Sequence, residues 1–414
     1  MRKTKYMFSI YAGATPDSKN PKYWDGDIIW ITPADYKTTD KYVLHGTKNL
    51  TEAGYAASNT TIVPAGSIIV SKRAPIGTVS IAGVPLCTNQ GCLSCVPNED
   101  VDSTFAYYAL SIMKDKMEVL GAGTTFKEIS ANAFSNMKIP YFPLPEQRAI
   151  VNYLDPKCSA IDEAIERHKK IIEKLEEYRR AEIARLISFN VESDTYETGN
   201  VWFPTLPSEI SISRVGMHFN ITLGKMLCPM QRDANDTLER YYCAGDIHFD
   251  GINQENLKEM WFSPNEKRLY EVSNGDLLIV EGGAGAGNAF IVHGQEEKVY
   301  IQNSVLRVRG SSTGSVRYLR YLIEYLVKNG YIAYACNTST FSHFTKDKVS
   351  GTPFPVASFE LQEKVADQID SMDVIVRSAQ RKHEAIILKL EEYRKSIIYN
   401  AVTGKIDCRT EAME

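Results

Sequence analysis

The stretch His168-Lys-Lys-Ile-Ile-Glu-Lys-Leu-Glu-Glu-Tyr-Arg179 returns as His383-Glu-Ala-Ile-Ile-Leu-Lys-Leu-Glu-Glu-Tyr-Arg394, 215 residues further along the chain. The same offset relates other pairs without a gap: Thr125 with Thr340, Pro140 with Pro355, Gln147 with Gln362 and Leu175 with Leu390. Weaker matches continue upstream at slightly smaller offsets: Gly13 with Gly224, Asp35 with Asp246 and Gly66 with Gly275. A period this long is too large for a solenoid or a propeller, so it indicates a duplicated domain.

The composition is that of a soluble globular protein. The chain has 414 residues, of which 43% are hydrophobic and 24% charged, and this length allows two or three domains. No apolar run is long enough for a signal peptide or a membrane span, which predicts a cytoplasmic protein. The net charge of −4 excludes a simple basic nucleic-acid binder. If DNA is the ligand, the basic surface must be local, or partner subunits must supply part of the phosphate neutralisation.

The eight cysteines are irregularly spaced and do not form a disulfide framework. Cys87, Cys92 and Cys95 have the spacing of three iron–sulfur ligands. Their counterparts in the second half are Tyr300, Val305 and Val308, which have no ligand chemistry. This favours buried thiols that serve as small apolar residues over a metal or cluster.

The alternation of strand-rich and helical segments predicts an α+β fold. It consists of two pseudo-twofold-related mixed α/β globular domains joined by two long antiparallel coiled-coil helices. A short helix over 146–154 is expected to be interrupted at Asp155-Pro156, with a longer helix over 157–188. The predicted domains are 1–142 (first globular domain), 143–190 (first helical spacer), 191–353 (second globular domain) and 354–414 (second spacer and tail).

Apolar residues recur along both helical segments at alternating steps of four and three, which is the seam of a coiled coil. The residues predicted to form it or to bind a partner are Leu154, Ile161, Ile165, Ile172, Leu175, Tyr178, Ile369, Val376, Ile387, Leu390 and Tyr393. Each seam needs a partner, either the other helix of the chain or its own globular domain. His168 and His383 share one seam position, where a polar residue that sets the register, or one that faces solvent or a partner, is favoured over a metal ligand.

Catalytic motifs are missing from the sequence. There is no phosphate-binding Gly-x4-Gly-Lys-Ser/Thr loop, and Asn20-Pro21-Lys22-Tyr23 lacks the glycine-rich loop of a methyltransferase. The glycine stretch 281–288 lies between two apparent strands, which predicts a hairpin loop and not a dinucleotide site. The chain is therefore not expected to be an enzyme by itself.

The length of the predicted helices suggests a relation to DNA. A helix of roughly 33 residues spans about 50 Å, or about 15 base pairs of duplex. Two globular heads on an antiparallel helix pair would meet the same DNA about one turn or more apart. Because the heads have diverged while the helices stayed alike, the two half-sites should differ.

The chain resembles the specificity subunit of a Type I restriction-modification system. The residues that carry the resemblance cover nearly the whole chain: Gly13-Ala-Thr-Pro16, Trp30-Ile-Thr-Pro-Ala-Asp35, Gly123-Thr-Thr-Phe-Lys-Glu-Ile129, Pro143-Leu-Pro-Glu-Gln147, Leu154-Asp-Pro-Lys-Cys-Ser-Ala-Ile-Asp162, both Lys-Leu-Glu-Glu-Tyr-Arg segments and Ala401-Val-Thr-Gly-Lys-Ile406. Gly224-Lys-Met-Leu in the second half has lost the Thr-Pro of the motif.

The resemblance implies a non-catalytic subunit with two target recognition domains on double-stranded DNA and two helical spacers that bind methyltransferase subunits. A restriction subunit would join through the methyltransferases, and S-adenosylmethionine and ATP would belong to these partners. No cofactor is expected in this chain, and neither a bound metal nor a membrane partner. The alternative is a coiled-coil assembly adaptor that joins subunits without reading sequence.

The residues that read DNA are not given by the family motifs, because such domains diverge where they read sequence. Polar and basic residues near turns are the candidates: Lys19, Lys22, Lys72, Arg73, Thr124, Thr125 and Lys127 in the first domain, and Lys225, Arg232, Asn288, Thr340, His343 and Lys346 in the second.

Overall fold

A strand-rich segment that leads into a helix of 44 residues occurs twice along the chain. In the computed structural model the described residues are 1–37, 40–121, 127–189, 194–336 and 343–409. They form two units. Unit 1 consists of Met1–Lys169 together with His383–Glu414, and unit 2 of Lys170–Lys382.

Unit 1 contains a five-stranded and a three-stranded sheet. Its strands are β1 (Arg2–Lys3), β2 (Phe8–Ala12), β3 (Trp24–Ile31), β4 (Tyr42–Val43), β5 (Lys48–Leu50), β6 (Ile68–Ser71), β7 (Val79–Ala82), β8 (Cys87–Thr88), β9 (Cys92–Pro97) and β10 (Lys138–Ile139). Its shorter helices are α1 (Glu52–Ala56), α2 (Ser103–Ser111), α3 (Lys114–Leu120) and α4 (Ala131–Asn136). The first part of α5 (Leu144–Ile187) and the end of α10 (Phe359–Val402) complete it.

Unit 2 repeats this plan with additional strands. They are β11 (Thr195–Glu197), β12 (Thr205–Pro207), β13 (Ser211–Arg214), β14 (Phe219–Leu223), β15 (Thr237–Tyr242), β16 (Ile247–His248), β17 (Gly251–Ile252), β18 (Lys258–Phe262), β19 (Glu271–Val272), β20 (Leu277–Val280), β21 (Ala289–Ile291), β22 (Val299–Ile301), β23 (Val305–Gly310) and β24 (Pro353–Val356). Its helices are α6 (Pro264–Tyr270), α7 (Val316–Lys328), α8 (Tyr331–Ala335) and α9 (Lys346–Gly351), with the remaining parts of α5 and α10.

The central sheets of the two units have the same strand order and register. The order is β2-β9-β6-β7 in unit 1 and β14-β23-β20-β21 in unit 2. In unit 1, Cys95 pairs with Ile10 on one side and Ile68 on the other. In unit 2, Val308 pairs with Ile221 and Leu277 in the same way. These partners are related by the offsets found in the sequence, which confirms the duplication and the predicted α+β class.

Both long helices contribute residues to the hydrophobic core of each unit. The unit 1 core includes Leu154, Ile161 and Ile165 of α5 together with residues near the end of α10. The contributions of α10 are Ile397, Ile398, Ala401 and Val402. In unit 2 the roles are reversed, since the end of α5 and the start of α10 enter the core. Its members there are Ile183, Leu186, Ile187, Val365 and Ile369.

Within each unit the two helices run antiparallel. In unit 1, Arg394 lies 2.9 Å from Asp162, and the Nδ1 atoms of His168 and His383 are 2.7 Å apart. In unit 2, Arg179 contacts Asp373 at 2.7 Å. The two readings of the seam therefore both hold, because its residues pack on the globular part and on the other helix. The histidines bind one another through a hydrogen bond, in agreement with a polar seam position.

The burial of the predicted seam residues differs along the two helices. Leu154, Ile161, Ile165, Ile369 and Val376 are buried. The middle of each helix is half-buried, at Ile172, Leu175, Ile387 and Leu390. Tyr178 and Tyr393, in contrast, are more than half exposed.

The predicted break at Pro156 is wrong, because α5 continues through this residue. Proline removes one hydrogen-bond donor from the helix and crowds the carbonyl of residue 152. Residue 152, however, is exposed to water. Buried residues on both sides, Leu154 and Cys158, hold the segment on the core. Asp155 is fixed as well, because it accepts a hydrogen bond of 2.7 Å from Tyr108 and pairs with Lys41 at 2.8 Å. Tertiary contacts thus outweigh the local preference.

A buried glutamine joins the start of each long helix to its domain. The Nε2 of Gln147 donates to the carbonyls of Asp100 (2.8 Å) and Phe142 (2.7 Å), and its Oε1 accepts from the Asp102 amide at 2.8 Å. Gln362 repeats all three bonds with Thr313, Ala357 and Ser315. Both side chains are fully buried, and all of their hydrogen-bonding groups except one acceptor lone pair are used.

Unit 2 contains a buried ionic network centred on Arg179, which is 5% exposed. Its guanidinium donates to Glu324 at 2.7 Å and to Asp373 at 2.7 and 3.0 Å. Arg320 also contacts Glu324 at 2.9 Å. Burial opposes the charge on Arg179, but bonds to the two carboxylates raise its pKa above the usual value. The network links the two helices with α7.

The cysteines of the suggested ligand cluster lie in the unit 1 interior. Cys87, Cys92 and Cys95 are buried among apolar side chains. Burial raises the pKa of Cys87 to about 11 and that of Cys92 to about 12. These thiols therefore stay protonated and pack as small apolar residues.

Candidate nucleic-acid interface

In unit 1 a basic loop after β6 meets the segment before α4. Lys72 and Arg73 both pair with Glu128, at 2.9 and 2.7 Å, and the Ile129 amide donates to the Lys72 carbonyl at 3.0 Å. Hydrogen bonds from Arg73 and Lys72 lower the pKa of Glu128 below its ordinary value. Lys127, the residue before it, is exposed. The structure thus brings three of the predicted cations together and adds a carboxylate that orients two of them.

Unit 2 has the same junction with different side chains. The glycine loop between β20 and β21 is a hairpin loop, as predicted. Gly282 and His343 form an isolated antiparallel β-bridge, as Arg73 and Glu128 do in unit 1. The Phe344 amide donates to the Glu281 carbonyl at 2.6 Å. A Cβ on Gly282 would lie 2.8 Å from His343 Nδ1, so a larger residue there would require the imidazole to shift. Here an exposed histidine replaces the cation–carboxylate cluster.

A second loop reaches the same edge of each unit. It follows β2 in unit 1 and β14 in unit 2, and it packs on the turn before β9 or before β23. A Cβ on Gly13 would lie 2.1 Å from the carbonyl oxygen of Asn89, and one on Gly224 would lie 2.3 Å from that of Gln302. The Lys72 amide donates to Gly91 at 2.8 Å. We call this surface, formed in unit 1 by residues 13–17, 71–77, 89–91 and 127–129 and in unit 2 by 224–232, 281–288, 302–304 and 343–346, the loop edge.

Several other predicted contacts lie on exposed loops. Lys19 and Lys22 follow the Gly13 loop, and Lys22 belongs to a short 3₁₀ turn, Pro21–Tyr23. Arg232 and Lys346 are exposed in unit 2. Thr124, Thr125 and Thr340 lie outside the described residues.

Two predicted contacts have structural partners instead. Lys225 is 6% exposed, and its ammonium bonds to Glu266 at 2.6 Å and to the Trp261 carbonyl at 2.7 Å. It is therefore not available to a phosphate, and we correct its placement on the surface. Asn288 is half-buried and donates to the Ile247 carbonyl at 3.3 Å.

The outer face of the long helices carries a repeated apolar pair. In unit 2, Ile171 and Tyr178 are exposed and lie seven residues apart on α5. In unit 1, Ile386 and Tyr393 have the same spacing on α10. The members of each pair project from one side of a helix, since seven residues make about two turns. These pairs belong to the duplicated segment, which was their signal in the sequence. Of the four residues, only the two tyrosines were predicted to bind a partner.

Within the described part of the chain, no group of three or more histidine, cysteine or acidic residues could hold a metal ion. Among the same residues no helix is both long and apolar enough to cross a bilayer.

Residues 1–177 match the family model of the Type I restriction modification DNA specificity domain. The Type I restriction enzyme MjaIX specificity subunit of Methanocaldococcus jannaschii is 36% identical over 179 residues, which are 42% of this chain and 40% of that protein. The matched part thus spans less than half the length of this curated relative.

Two solved structures share the fold over nearly the full length. One, described as the structural basis underlying complex assembly and conformational transition of the type I R-M system, has a TM-score of 0.68 at 14% identity and covers 98% of this chain and 97% of its own. The other is the HsdS subunit from Thermoanaerobacter tengcongensis, with a TM-score of 0.53 at 15% identity and coverage of 98% and 96%. At these identities the likeness shows the fold alone.

Proposed function

Because the chain belongs to the family of Type I restriction-modification specificity subunits, we propose that it reads a bipartite, asymmetric DNA site. The single observation that carries the proposal is the loop edge, which occurs once in each unit on the same sheet framework but with different side chains. Two equivalent surfaces with unlike chemistry would read two unlike half-sites.

We assign the first target recognition domain to residues 1–142 and the second to 191–353, with helical spacers at 143–190 and 354–414. Of the predicted contacts we retain Lys19, Lys22, Lys72, Arg73 and Lys127 in the first domain. In the second we retain Arg232, His343 and Lys346. Arg73 is the residue on which the first half-site would depend most, because Glu128 holds its planar guanidinium in place with nearly half of the side chain exposed.

Partner subunits are the second part of the proposal. The exposed pairs Ile171/Tyr178 and Ile386/Tyr393 would each dock one methyltransferase subunit, so that two copies bind. A restriction subunit would join through them. The methyltransferase would supply S-adenosylmethionine and the restriction subunit ATP, while this chain has a non-catalytic role in the cytoplasm.

The test is to map methylated adenines in cells that express the chain with its cognate methyltransferase. The expected motif has two specified parts and an unspecified spacer. Exchange of residues 1–142 for those of a relative should change one part only. A motif that does not change would contradict the proposal and favour the assembly adaptor without sequence reading.

A single substitution sharpens this test. We expect Arg73→Gln to weaken binding to the specific duplex by about 1–3 kcal/mol, measured by fluorescence anisotropy at fixed salt. Arg2→Gln is the matched control, since Arg2 is 34% exposed and also paired with a carboxylate, but its partner Asp100 follows the end of β9 that is opposite to the loop edge. Equal effects of both substitutions would remove Arg73 from the interface.

The docking proposal has its own readout. Tyr393→Glu should reduce the methyltransferase content of the purified complex from two copies to one, because it places a charge in an apolar contact. Mass photometry or native mass spectrometry measures this ratio. Tyr42→Glu is the control, since Tyr42 is 51% exposed on β4, and it should leave two copies bound.

A further inference from the structure

The loop 224–236 of unit 2 exposes three large apolar side chains within five residues. Met226 and Met230 are each 74% exposed, and Leu227 is 54% exposed. Burial of such side chains is worth roughly 1.5–3 kcal/mol each, so their exposure on one short loop indicates a surface that is covered in function.

The loop that carries them is anchored at both ends. Lys225 donates its amide to Ile301 at 2.9 Å and accepts from Asn303 at 2.8 Å, while its ammonium is enclosed next to Glu266. Cys228 is 1% exposed, and its carbonyl accepts from the Trp261 amide at 3.0 Å. The three apolar side chains therefore stand on a backbone that is held in place.

The far end is closed by Asp236, a residue that is 8% exposed. Its carboxylate accepts from the amides of Arg232 and Asp233, each at 3.1 Å. The side chain of Arg232 points to solvent, and among the described residues it has no ion pair. One cation thus stands beside the apolar group.

The apolar group continues along the neighbouring strands. Leu238, 48% exposed, lies opposite Trp261 in the β15–β18 pairing, and Trp261 is the residue bonded to Cys228. On its other side the loop rests on the turn 302–304, to which the glycine loop is also bonded through the Glu281 amide and Ser304 at 2.8 Å. The patch is therefore continuous with the loop edge of unit 2.

We propose that Met226, Leu227 and Met230 form an apolar wedge that enters the minor groove and partly unstacks one base step of the second half-site. This inference rests on the proposed function and deepens it. Proteins that kink DNA insert methionine, leucine or similar side chains between base pairs and use flanking arginines to hold the backbone or the groove. Methionine suits this role because its flexible thioether adapts to the opened step.

The matching loop of unit 1 has no such apolar group. At the offset of 211 residues, the counterparts of Met226, Leu227 and Met230 are Thr15, Pro16 and Lys19, and the Thr15 hydroxyl is bonded to Gln90. The wedge would therefore act in one half-site only. Pyrimidine–purine steps open most easily, so one is expected within or next to the second half-site.

The experiment uses the full chain with its methyltransferase and a duplex that contains the mapped motif. 2-Aminopurine is placed in turn at the adenine positions of each half-site, where its fluorescence rises when stacking is lost. The adenine that the methyltransferase modifies in each half-site brightens without any wedge, because the enzyme flips its target base out of the stack. We expect one further position of the second half-site to brighten on binding. In the variant Met226→Ser/Leu227→Ser/Met230→Ser this further brightening should disappear, and affinity for the specific duplex should fall about tenfold, within the range for one mismatched base pair.

Met217→Ser is the matched control. Met217 is 77% exposed, but it lies on the turn Val215–Met217, which packs against α9 near Ser350. It should leave both fluorescence and affinity unchanged. Circular dichroism of both variants shows whether they remain folded.

The outcomes separate this inference from the function on which it rests. DNA binding by the unmodified protein without any sequence preference would overturn the proposed function. Specific binding of a two-part site in which only the methylated adenines brighten would overturn the wedge alone. Unchanged DNA binding by the triple variant together with a lower methyltransferase content would also overturn it, because the patch would then be a protein contact.

Discussion

Replacement of Arg179 tests how strongly unit 2 depends on its buried ionic network. Arg179→Met leaves Asp373 buried, with Arg377 at 4.0 Å as its remaining cation, whereas Glu324 keeps Arg320 at 2.9 Å. Loss of one partner of a buried ion pair costs 3–5 kcal/mol, because a desolvated charge remains. Since one of the two carboxylates stays paired, we expect the lower end, about 3 kcal/mol.

Hydrogen exchange followed by mass spectrometry on the full chain measures this effect locally. Amides of α7 that exchange through opening of unit 2 should lose protection by about 150-fold, the equivalent of 3 kcal/mol. Amides of the unit 1 sheet should be unaffected. Arg394→Met is the matched control, because Arg394 holds the same repeat position and pairs with Asp162, whose side chain is 49% exposed. The released carboxylate is hydrated there, and the cost should be about 1 kcal/mol.

A second substitution shows whether the buried charge is the cause. Cys158 occupies in unit 1 the repeat position of Asp373 in unit 2. Arg179→Met/Asp373→Cys removes both members of the broken pair and should recover most of the lost protection. The reasoning is refuted if Arg179→Met costs less than 1 kcal/mol, or if the added cysteine lowers protection further.

Three further outcomes are expected. Gln147→Leu and Gln362→Leu should each lower the free energy of unfolding of their own unit by about 3 kcal/mol in urea titrations, because buried backbone groups lose their partners. Burial would raise the pKa of Glu324, but the bond from Arg179 lowers it below 4.5 overall. The stabilising contribution of the ionised Glu324 is therefore complete above pH 4.5 and should be lost as the pH falls further. Protection of the α7 amides against hydrogen exchange, measured at pH 3.5 and pH 6, would show this loss. Gly13→Ala places a Cβ 2.1 Å from a backbone oxygen and should weaken DNA binding in anisotropy titrations, whereas Gly245→Ala, with nothing within 4 Å, should not.

The duplicated framework could be predicted from the sequence because it is a matter of pattern. Identical residues at a constant offset identified the repeat, and alternating apolar positions identified the helices. Pro156 shows the limit of such rules, since contacts distant in sequence keep α5 intact where the local preference predicts a break.

The candidate site was less accessible to prediction because the role of a charged side chain depends on its neighbours. Lys225 and Arg73 both lie two residues after the end of a strand, but Glu266 encloses the first and Glu128 only orients the second. Neither glutamate carries a local signal. The apolar residues Met226 and Met230 were not predicted either, because exposure of a methionine is a property of the folded loop.

The two units of this chain do not fold in the order in which they are synthesised. Unit 1 takes Ile397, Ile398 and Val402 into its core, and these residues are translated after unit 2, which is one contiguous segment, Lys170–Lys382. The first 169 residues must therefore wait, with part of their apolar surface uncovered, while the segment after them folds. A chaperone that holds nascent chains should for this reason associate with residues 1–169 until translation has passed residue 402, and a frameshift just before the codon of residue 397 should damage the N-terminal domain.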